Sequence, residues 1–488
     1  MHADTPTRCL FSALLALAVA WGIYWAEEQA SDPAPPMKGR RRYAAFIPIT
    51  LPLLLPLIAG LSLVFYGRET ALRDLLTLSF PIFLSICVYD ACLLPALPLL
   101  RRRISAQTCA LLWLLPNYLY IVSFPLMELS EPRWVVVLPA PMEAVGAVWL
   151  AGACAVLGWK VIGHLRFRRA LLRDARPVED PEALALWREE QKNTGFSKAS
   201  LPLLVSPAVS TPLSVGLFSR TIRVILPERA YTAEDLRLVL RHELVHISRA
   251  DGAAKFFLTF CTALCWFNPL MWLAMERSAQ DIELSCDEAV LLGADEDTRR
   301  RYAELLLTTA GDSRGFTTCL AASASALRYR LRSVIHPPRR TSGALAAGAL
   351  LFLLVVTCGY TSLVYDPLPG AEAVFPVSPP EACTLRSVQW DDGSMSRACR
   401  CDDPQALFRQ LEALEPARFT GSYSFAEDHP CLNISYDSPD GSFWVSVRGR
   451  SLSVTHIGLP LSPREGDYYL PKGADLETLA DLLIFTDG

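Results

Sequence analysis

His242-Glu243-Leu244-Val245-His246 is the stretch on which the reading of this chain turns. On a helix, positions i and i+4 share a face, so both imidazoles can reach one metal ion while Glu243, one residue on from the first, leans over a water held there. Such a site needs one more ligand, and Glu283-Leu284-Ser285-Cys286-Asp287 offers two carboxylates one turn apart. A zinc hydrolase takes three protein ligands and keeps its fourth position for water, whose pKa falls to about 7. The expected ligands are therefore His242, His246 and Glu283, with Glu243 as the general base of peptide-bond hydrolysis. Asp287 is then placed to accept the free N–H of a ligating imidazole and fix its tautomer. Two alternatives stay open: Asp287 as the ligand with Glu283 in support, and two histidines on a merely solvated helix face.

The neighbouring residues read more plainly. Asp281 and Glu288 point away from the site by helical phase. Cys286, a lone thiol in a helix, reads as core. Asp251 reads as a cap of the apolar helix that follows it. No group to stabilise an oxyanion stands out, and Tyr302, the Arg299 to Arg301 run and His336 are the candidates.

The motif sits in an apolar chain. With 488 residues, 51% of them hydrophobic, and a mean hydropathy of +0.26, it is too long for one domain and too apolar to be wholly soluble. Apolar runs of about twenty residues fall near 8–26, 43–67, 75–100, 106–128, 142–162 and 343–365, which makes six expected crossings. The first could instead be a signal peptide, but no small-residue cleavage site follows it. Basic clusters at Lys38 to Arg42, Arg101 to Arg103 and Arg166 to Arg173 follow the first, third and fifth runs. The positive-inside rule then puts the N-terminus outside, residues 164–340 in the cytoplasm and residues 366–488 outside. The net charge of −4, with its cations beside apolar runs, speaks for membrane orientation and against direct nucleic-acid binding. Of the 14 cysteines, Cys383, Cys399, Cys401 and Cys431 lie in the polar C-terminal region, where one or two disulfides are expected.

Within the cytoplasmic stretch, a charged helix is expected from Asp180 to Lys192. The alternation over Thr221 to Pro227 predicts a short edge strand, able to hold an extended peptide beside the metal or merely to close a small sheet. Thr232 is the expected N-cap of the helix that carries the histidines. Residues 253–275 are nearly apolar enough to cross a membrane, yet a crossing would put His242 and Glu283 on opposite sides. Asn268-Pro269 breaks the run, which favours a re-entrant or interfacial hairpin.

In this order, Ser210 to Gly216, Ile222 to Pro227, Arg241 to His246, Arg249-Ala250-Asp251, Trp266 to Pro269 and Glu283 to Ala289 resemble the BlaR/MecR-type integral-membrane zinc metallopeptidases of bacteria, the antirepressors of antibiotic-sensing systems. The resemblance covers residues 200–340 and the flanking spans. It implies zinc on His242, His246 and Glu283, Glu243 as catalytic acid/base, and an external sensor linked across the membrane to a protease that cleaves itself or a transcriptional repressor. The C-terminal region departs from that pattern: residues 366–488 hold no Ser-x-x-Lys and are too few for a penicillin-binding module. They read instead as α+β, with a meander over Leu432 to Tyr436, Phe443 to Val447 and Leu452 to Ile457, and helices near Pro404 to Leu414 and Ala474 to Phe485. Such a domain either binds an unknown extracellular ligand or only stabilises the receptor.

The expected whole is a mostly α polytopic membrane protein with a cytoplasmic-facing α+β HExxH zinc-peptidase domain and a small extracellular α+β domain. Its parts are a five-span region (1–163), the peptidase domain (164–340), a sixth span (341–365) and the external domain (366–488). The lipid bilayer and a protein substrate are its expected partners. Two rivals remain, a membrane protease that processes prenylated or misfolded proteins and a zinc-containing receptor that signals conformationally without proteolysis.

Overall fold

A computed structural model of the chain describes residues 5–31, 50–116, 118–119, 134–138, 141–194, 201–218, 220–310, 324–337, 340–357, 361–376, 378–392, 395–419, 430–439, 441–457 and 466–485. The first helices are α1 (Thr5–Ser31), α2 (Thr50–Arg103), α3 (Ala106–Leu112) and α4 (Met142–Arg173). Among the described residues, three stretches are long and apolar enough to cross a membrane: Cys9–Glu28 in α1, Ile82–Arg103 in α2 and Ala144–Arg173 in α4. Gly67, at φ 84 and ψ 174, breaks α2 and separates that second stretch from a shorter apolar one, Leu54–Phe65. The expected fourth span is helical over Ala106–Leu112, and its continuation from 120 onward lies outside the described residues.

From α4 the chain enters an α+β unit. It comprises β2 (Arg176–Pro177), α5 (Pro181–Asn193), β3 (Leu203–Ser206), β4 (Leu213–Val215), β5 (Arg223–Pro227) and α6 (Ala233–Arg249), β1 (Trp134–Val137) having preceded α4. The strands order as β2-β3-β5-β4, so β5 is central, parallel to β3 and antiparallel to β4. This corrects the expectation of an edge strand over Thr221 to Pro227. Four consecutive buried residues, Val224 to Pro227, mark a strand covered on both faces, and Pro227 stands at its last position, where the missing N–H costs no interior ladder bond. The edge is β4. Beneath the sheet, Trp187, Leu203, Val224, Leu226, Leu236, Leu240 and Leu244 form one core, and buried Glu190 of α5 pairs with Arg237 and Arg241 of α6.

Three further helices complete the unit around α6: α7 (Asp251–Leu264), α8 (Pro269–Val290) and α9 (Glu296–Ala310), with α10 (Ala324–Ile335) beyond. The apolar run is two helices, α7 and α8, reversing at Cys265–Asn268. Asn268 caps α8 through Leu270 N at 3.0 Å, with Pro269 at the first helical position. The hairpin is seated on the membrane helices. Trp149 of α4 donates to Leu264 O at 2.8 Å, and the Trp266 ring lies where a Cβ on Gly152 would be, 2.2 Å from its nearest atom. Phe257, Cys261 and Met271 of the hairpin share one core with Ile82, Trp113, Trp149 and Leu351.

After α11 (Ala344–Thr357) the chain turns to strand at β6 (Thr361–Pro367), so the helix is shorter than the expected span to 365. β6 pairs in parallel with β1, which brings residues 134–137 into the C-terminal sheet. That ten-stranded sheet continues through β7 (Thr384–Asp391), β8 (Ser396–Cys401), β9 (Ala417–Phe419), β10 (Cys431–Ser438), β11 (Gly441–Arg448), β12 (Ser451–Ile457), β13 (Gly466–Tyr469) and β14 (Leu483–Phe485). The meander is β10–β12, and a helix spans Pro404–Glu412. The last expected helix is confined to Leu476–Ala480, because Leu483–Phe485 pairs with β8. The expected disulfides are absent: Cys383, Cys399, Cys401 and Cys431 are free. The register accounts for the absent pairings of Cys431 with β8 and of Cys383 with Cys399. β7 separates Cys431 from the two thiols of β8, about 9.5 Å of strand spacing against the 7 Å that a bridge tolerates, and Cys399 sits opposite Val388, five positions from Cys383.

Candidate active site

Helix α6 starts at Thr232, whose hydroxyl accepts from Asp235 N at 3.2 Å, with Glu234 and Asp235 in the positive first turn. Two turns later it carries His242 and His246 on one face, with their Nε2 atoms 3.1 Å apart. Helix α8 brings Glu283 across, its Oε2 3.6 Å from each of those nitrogens. Ligands at about 2.0–2.1 Å around one tetrahedral ion stand about 3.3 Å apart, so this triangle has the size of a single zinc site. His242, His246 and Cys286 also bring ligand atoms within 4.8 Å of one another. We favour Glu283, because Cys286 Sγ meets His242 at Nδ1 (3.4 Å), away from the side on which the two Nε2 atoms converge. Cys286 is fully buried, yet it is more than core filling: the two imidazoles overcome the effect of burial and hold its thiol below the ordinary value.

Behind each imidazole stands an orienting group. Asp251 Oδ2 lies 2.6 Å from His246 Nδ1. The Tyr302 hydroxyl lies 2.8 Å from His242 Nδ1 and donates to Asp287 Oδ1 at 2.7 Å. Asp287 thus reaches the imidazole through Tyr302, its own oxygen being 3.7 Å from Nδ1. Arg330 of α10 holds Asp287 in a bidentate fork, Nε to Oδ2 and Nη2 to Oδ1, both at 2.7 Å. Lys255 of α7 (3.2 Å) and Arg330 (3.5 Å) flank Glu283. Glu243 is buried at 6% exposure next to His242 in the chain.

Several assignments change. Asp251 caps nothing: the residue at the N-cap of α7 is Ala250, in the left-handed region at φ 58, and this turn swings Asp251 back onto His246. Tyr302 is behind His242 and thus not an oxyanion donor. Arg299 is spent on the carbonyls of Leu291, Ala294 and Val334, Arg300 pairs with Glu296, Arg301 pairs with Glu234, and His336 is exposed. Arg330 and Lys255 gave no sequence signal of their own, Arg330 being one arginine among three at alternate positions.

The electrostatics fit a cation site. Burial disfavours a charged His242, but Cys286 and Glu283 outweigh it and lift the imidazole to about 10. For His246, burial is likewise overcome by Cys286, Glu283 and Asp251, and its pKa rises well above the usual value. Burial alone would raise Glu283, yet His246, Lys255 and His242 pull it well below the carboxylate range. Two protons thus sit where a divalent ion would replace them. The edge strand β4 is close by: Gly216 O, just past its end, is 3.5 Å from where a Cβ on Gly252 would stand.

Residues 130–334 match the family described as BlaR1 peptidase M56. The chain is 28% identical over 221 residues to the regulatory protein BlaR1 of Bacillus licheniformis, a match covering 44% of this chain and 36% of that protein. It is 23% identical over 120 residues to the methicillin resistance mecR1 protein of Staphylococcus aureus, covering 24% and 20% respectively. This chain therefore spans little more than a third of the first relative's length and a fifth of the second's.

Proposed function

We propose, from the match of residues 130–334 to the BlaR1 peptidase M56 family, that the protein is a membrane-embedded zinc endopeptidase that hydrolyses peptide bonds in transmembrane signalling. The observation that carries this reading is the triangle of His242 Nε2, His246 Nε2 and Glu283 Oε2. A zinc ion held by these three would supply Lewis acidity and bring the pKa of a water down to about 7. Glu243 takes the proton of the attacking water and returns it to the leaving amine. Asp251 and Tyr302 hold the Nδ1–H of the two imidazoles, which aims Nε2 of each inward as the atom that would exchange its proton for the metal. β4 offers an extended substrate a backbone to pair with.

The substrate is this chain itself or a transcriptional repressor, and an extracellular ligand addresses the C-terminal domain. Residues 164–340 face the cytoplasm and residues 366–488 lie outside. Two pairings support this sidedness: β1 joins the C-terminal sheet, while Ile104 bridges Thr341 at the other end of the membrane helices. The competing reading, a zinc-containing receptor that signals without proteolysis, is separated by Glu243, since a structural zinc site needs no general base.

The test is zinc content and self-cleavage of the detergent-purified full chain beside Glu243→Gln and Glu283→Ala. The expected result is stoichiometric zinc in wild type and Glu243→Gln, reduced zinc in Glu283→Ala, and fragments that disappear in Glu243→Gln. Full signalling by Glu243→Gln would favour the non-proteolytic receptor, and the lack of any zinc would overturn both.

A further inference from the structure

Helix α8 has a second gripped face. Asp281 and Glu288, seven residues apart, lie about 130° around the helix from Glu283 and Asp287. Asp281 is fully buried and is held by Arg101 Nε at 2.6 Å and by Trp113 Nε1 at 2.8 Å. Arg101 belongs to the last turn of α2, at the end of its membrane-crossing stretch. Glu288 pairs with Arg340 and accepts from Ala106 N, the first residue of α3, at 3.2 Å. Arg340 donates to Arg101 O at 2.9 Å, and Thr341 N donates to Arg103 O at 2.9 Å. Glu27, at the end of α1, reaches Ser105 and Thr108, and Thr108 in turn packs against Gly343 just before α11. The ends of α1, α2, α3 and α11 therefore meet in one polar junction fastened to the back of the helix that carries Glu283.

Two physical points give this junction a purpose. A buried ion pair is a weak stabiliser, because desolvation consumes most of its Coulomb energy, so its value lies in fixing where groups sit. The junction is also incompletely satisfied: Arg101 Nη2 is buried with no hydrogen-bond partner among the described residues. That leaves it within reach of another arrangement.

We propose that the Arg101–Asp281–Trp113 junction is the coupling between the membrane helices and the metal site, and that Arg101 and Asp281 are positioning residues for Glu283. The proposal rests on the zinc-peptidase reading. Displacement of the α2 end turns or shifts α8 and carries Glu283 toward or away from His242 and His246. The site's affinity and geometry thereby follow the state of the membrane helices.

The experiment compares zinc affinity of the full chain in detergent, by competition with a chelator, for wild type, Arg101→Met/Asp281→Leu, Trp113→Phe and the exposed control Arg277→Ala. The paired apolar change keeps the fold, as replacements of buried pairs generally do. Zinc affinity is expected to fall about tenfold in the double variant and less in Trp113→Phe, as for other supports of a metal ligand, with Arg277→Ala unchanged. X-ray absorption at the zinc edge reads the same event as a longer or lost carboxylate bond, which a purely structural role would not produce. Wild-type affinity and coordination in a folded double variant would overturn the proposal. If the double variant does not fold, Trp113→Phe decides in the same way. Metal alone is the probe, so a lack of Glu243-dependent cleavage would sink the peptidase reading and leave this result standing.

Discussion

The zinc-site region and the C-terminal sheet bury polar groups in opposite ways. Among the described residues, every buried charged residue except Asp90 lies between 190 and 287: Glu190, Glu243, Arg249, Asp251, Asp281 and Asp287. The buried polar residues of the C-terminal region are serines, Ser378, Ser435 and Ser451. Its core is aromatic and aliphatic, with Phe375, Phe408 and Tyr436 in mutual ring contact and Phe443 stacked on Tyr436. Burying a charge costs several kcal/mol unless it is paired, so a region that collects six of them holds them for chemistry and position. The sheet follows the ordinary rule for stability, and a ligand of that domain would be met at its surface.

The sharpest test of this contrast removes one partner from each region. Arg330→Leu strands Asp287 in the interior and is expected to cost about 3–5 kcal/mol. Phe408→Ala is expected to cost a similar amount, about 3–5 kcal/mol, by leaving a cavity. The two should part on zinc: Arg330→Leu loses it, because Tyr302 and Glu283 lose their anchor, while Phe408→Ala retains it. Adding Asp287→Leu to Arg330→Leu should recover most of the stability and none of the zinc. Thermal unfolding with metal analysis checks both, and retained zinc in Arg330→Leu would refute the account of Asp287 as a clamped support.

The same contrast explains what could be read from the residues alone. The pairing of His242 with His246 was legible because helical spacing places side chains without any knowledge of tertiary structure; Glu283 lies on another helix and stood out only by chemistry, as a carboxylate one turn from Asp287, and Asn268-Pro269 marked the hairpin because proline breaks a helix locally. Asp251 reads as a cap in sequence because its contact with His246 depends on the left-handed turn at Ala250, a conformation that alanine does not advertise. Arg330 and Lys255 come from separate helices and carry no periodic signal. Pro227 suggests an edge because it lacks an N–H, but it only closes the strand, and the apolar Val224-Ile225-Leu226 before it is the run of a strand covered on both faces. The C-terminal cysteines suggested bridges by number, whereas strand register, which composition cannot supply, keeps them apart.

Charge at the site also predicts a proton signature. With His242 lifted to about 10 and His246 well above its usual value, both imidazoles carry protons near neutral pH in the metal-free protein. Glu283, held well below the carboxylate range, carries none. Zinc must expel the imidazole protons, so binding should release about one to two protons and strengthen by about ten- to a hundredfold per pH unit from pH 6 to 8. Calorimetry in buffers of different ionisation enthalpy counts those protons. Affinity that is flat in pH would mean that the imidazoles are already neutral.

The smallest effect sets one turn against another. In the C-terminal sheet, Gly441, Gly449, Gly466 and Gly473 take positive φ, whereas the turn that delivers Asp251 to His246 uses Ala250 at φ 58. A left-handed alanine costs about 1 kcal/mol, so Ala250→Gly should stabilise the protein by up to about that amount, less the entropy that glycine restores to the unfolded chain. Gly449→Ala is the mirror experiment: at φ 53, with nothing within 4 Å of the added Cβ, it meets only the backbone penalty and should destabilise by about 1 kcal/mol. If the Ala250 turn is held under strain to place Asp251, Ala250→Gly will gain stability while loosening zinc, whereas Gly449→Ala will lose stability with zinc unchanged. Equal and opposite shifts in unfolding temperature with no change in zinc affinity would show that the Ala250 turn stores strain to no effect on the site.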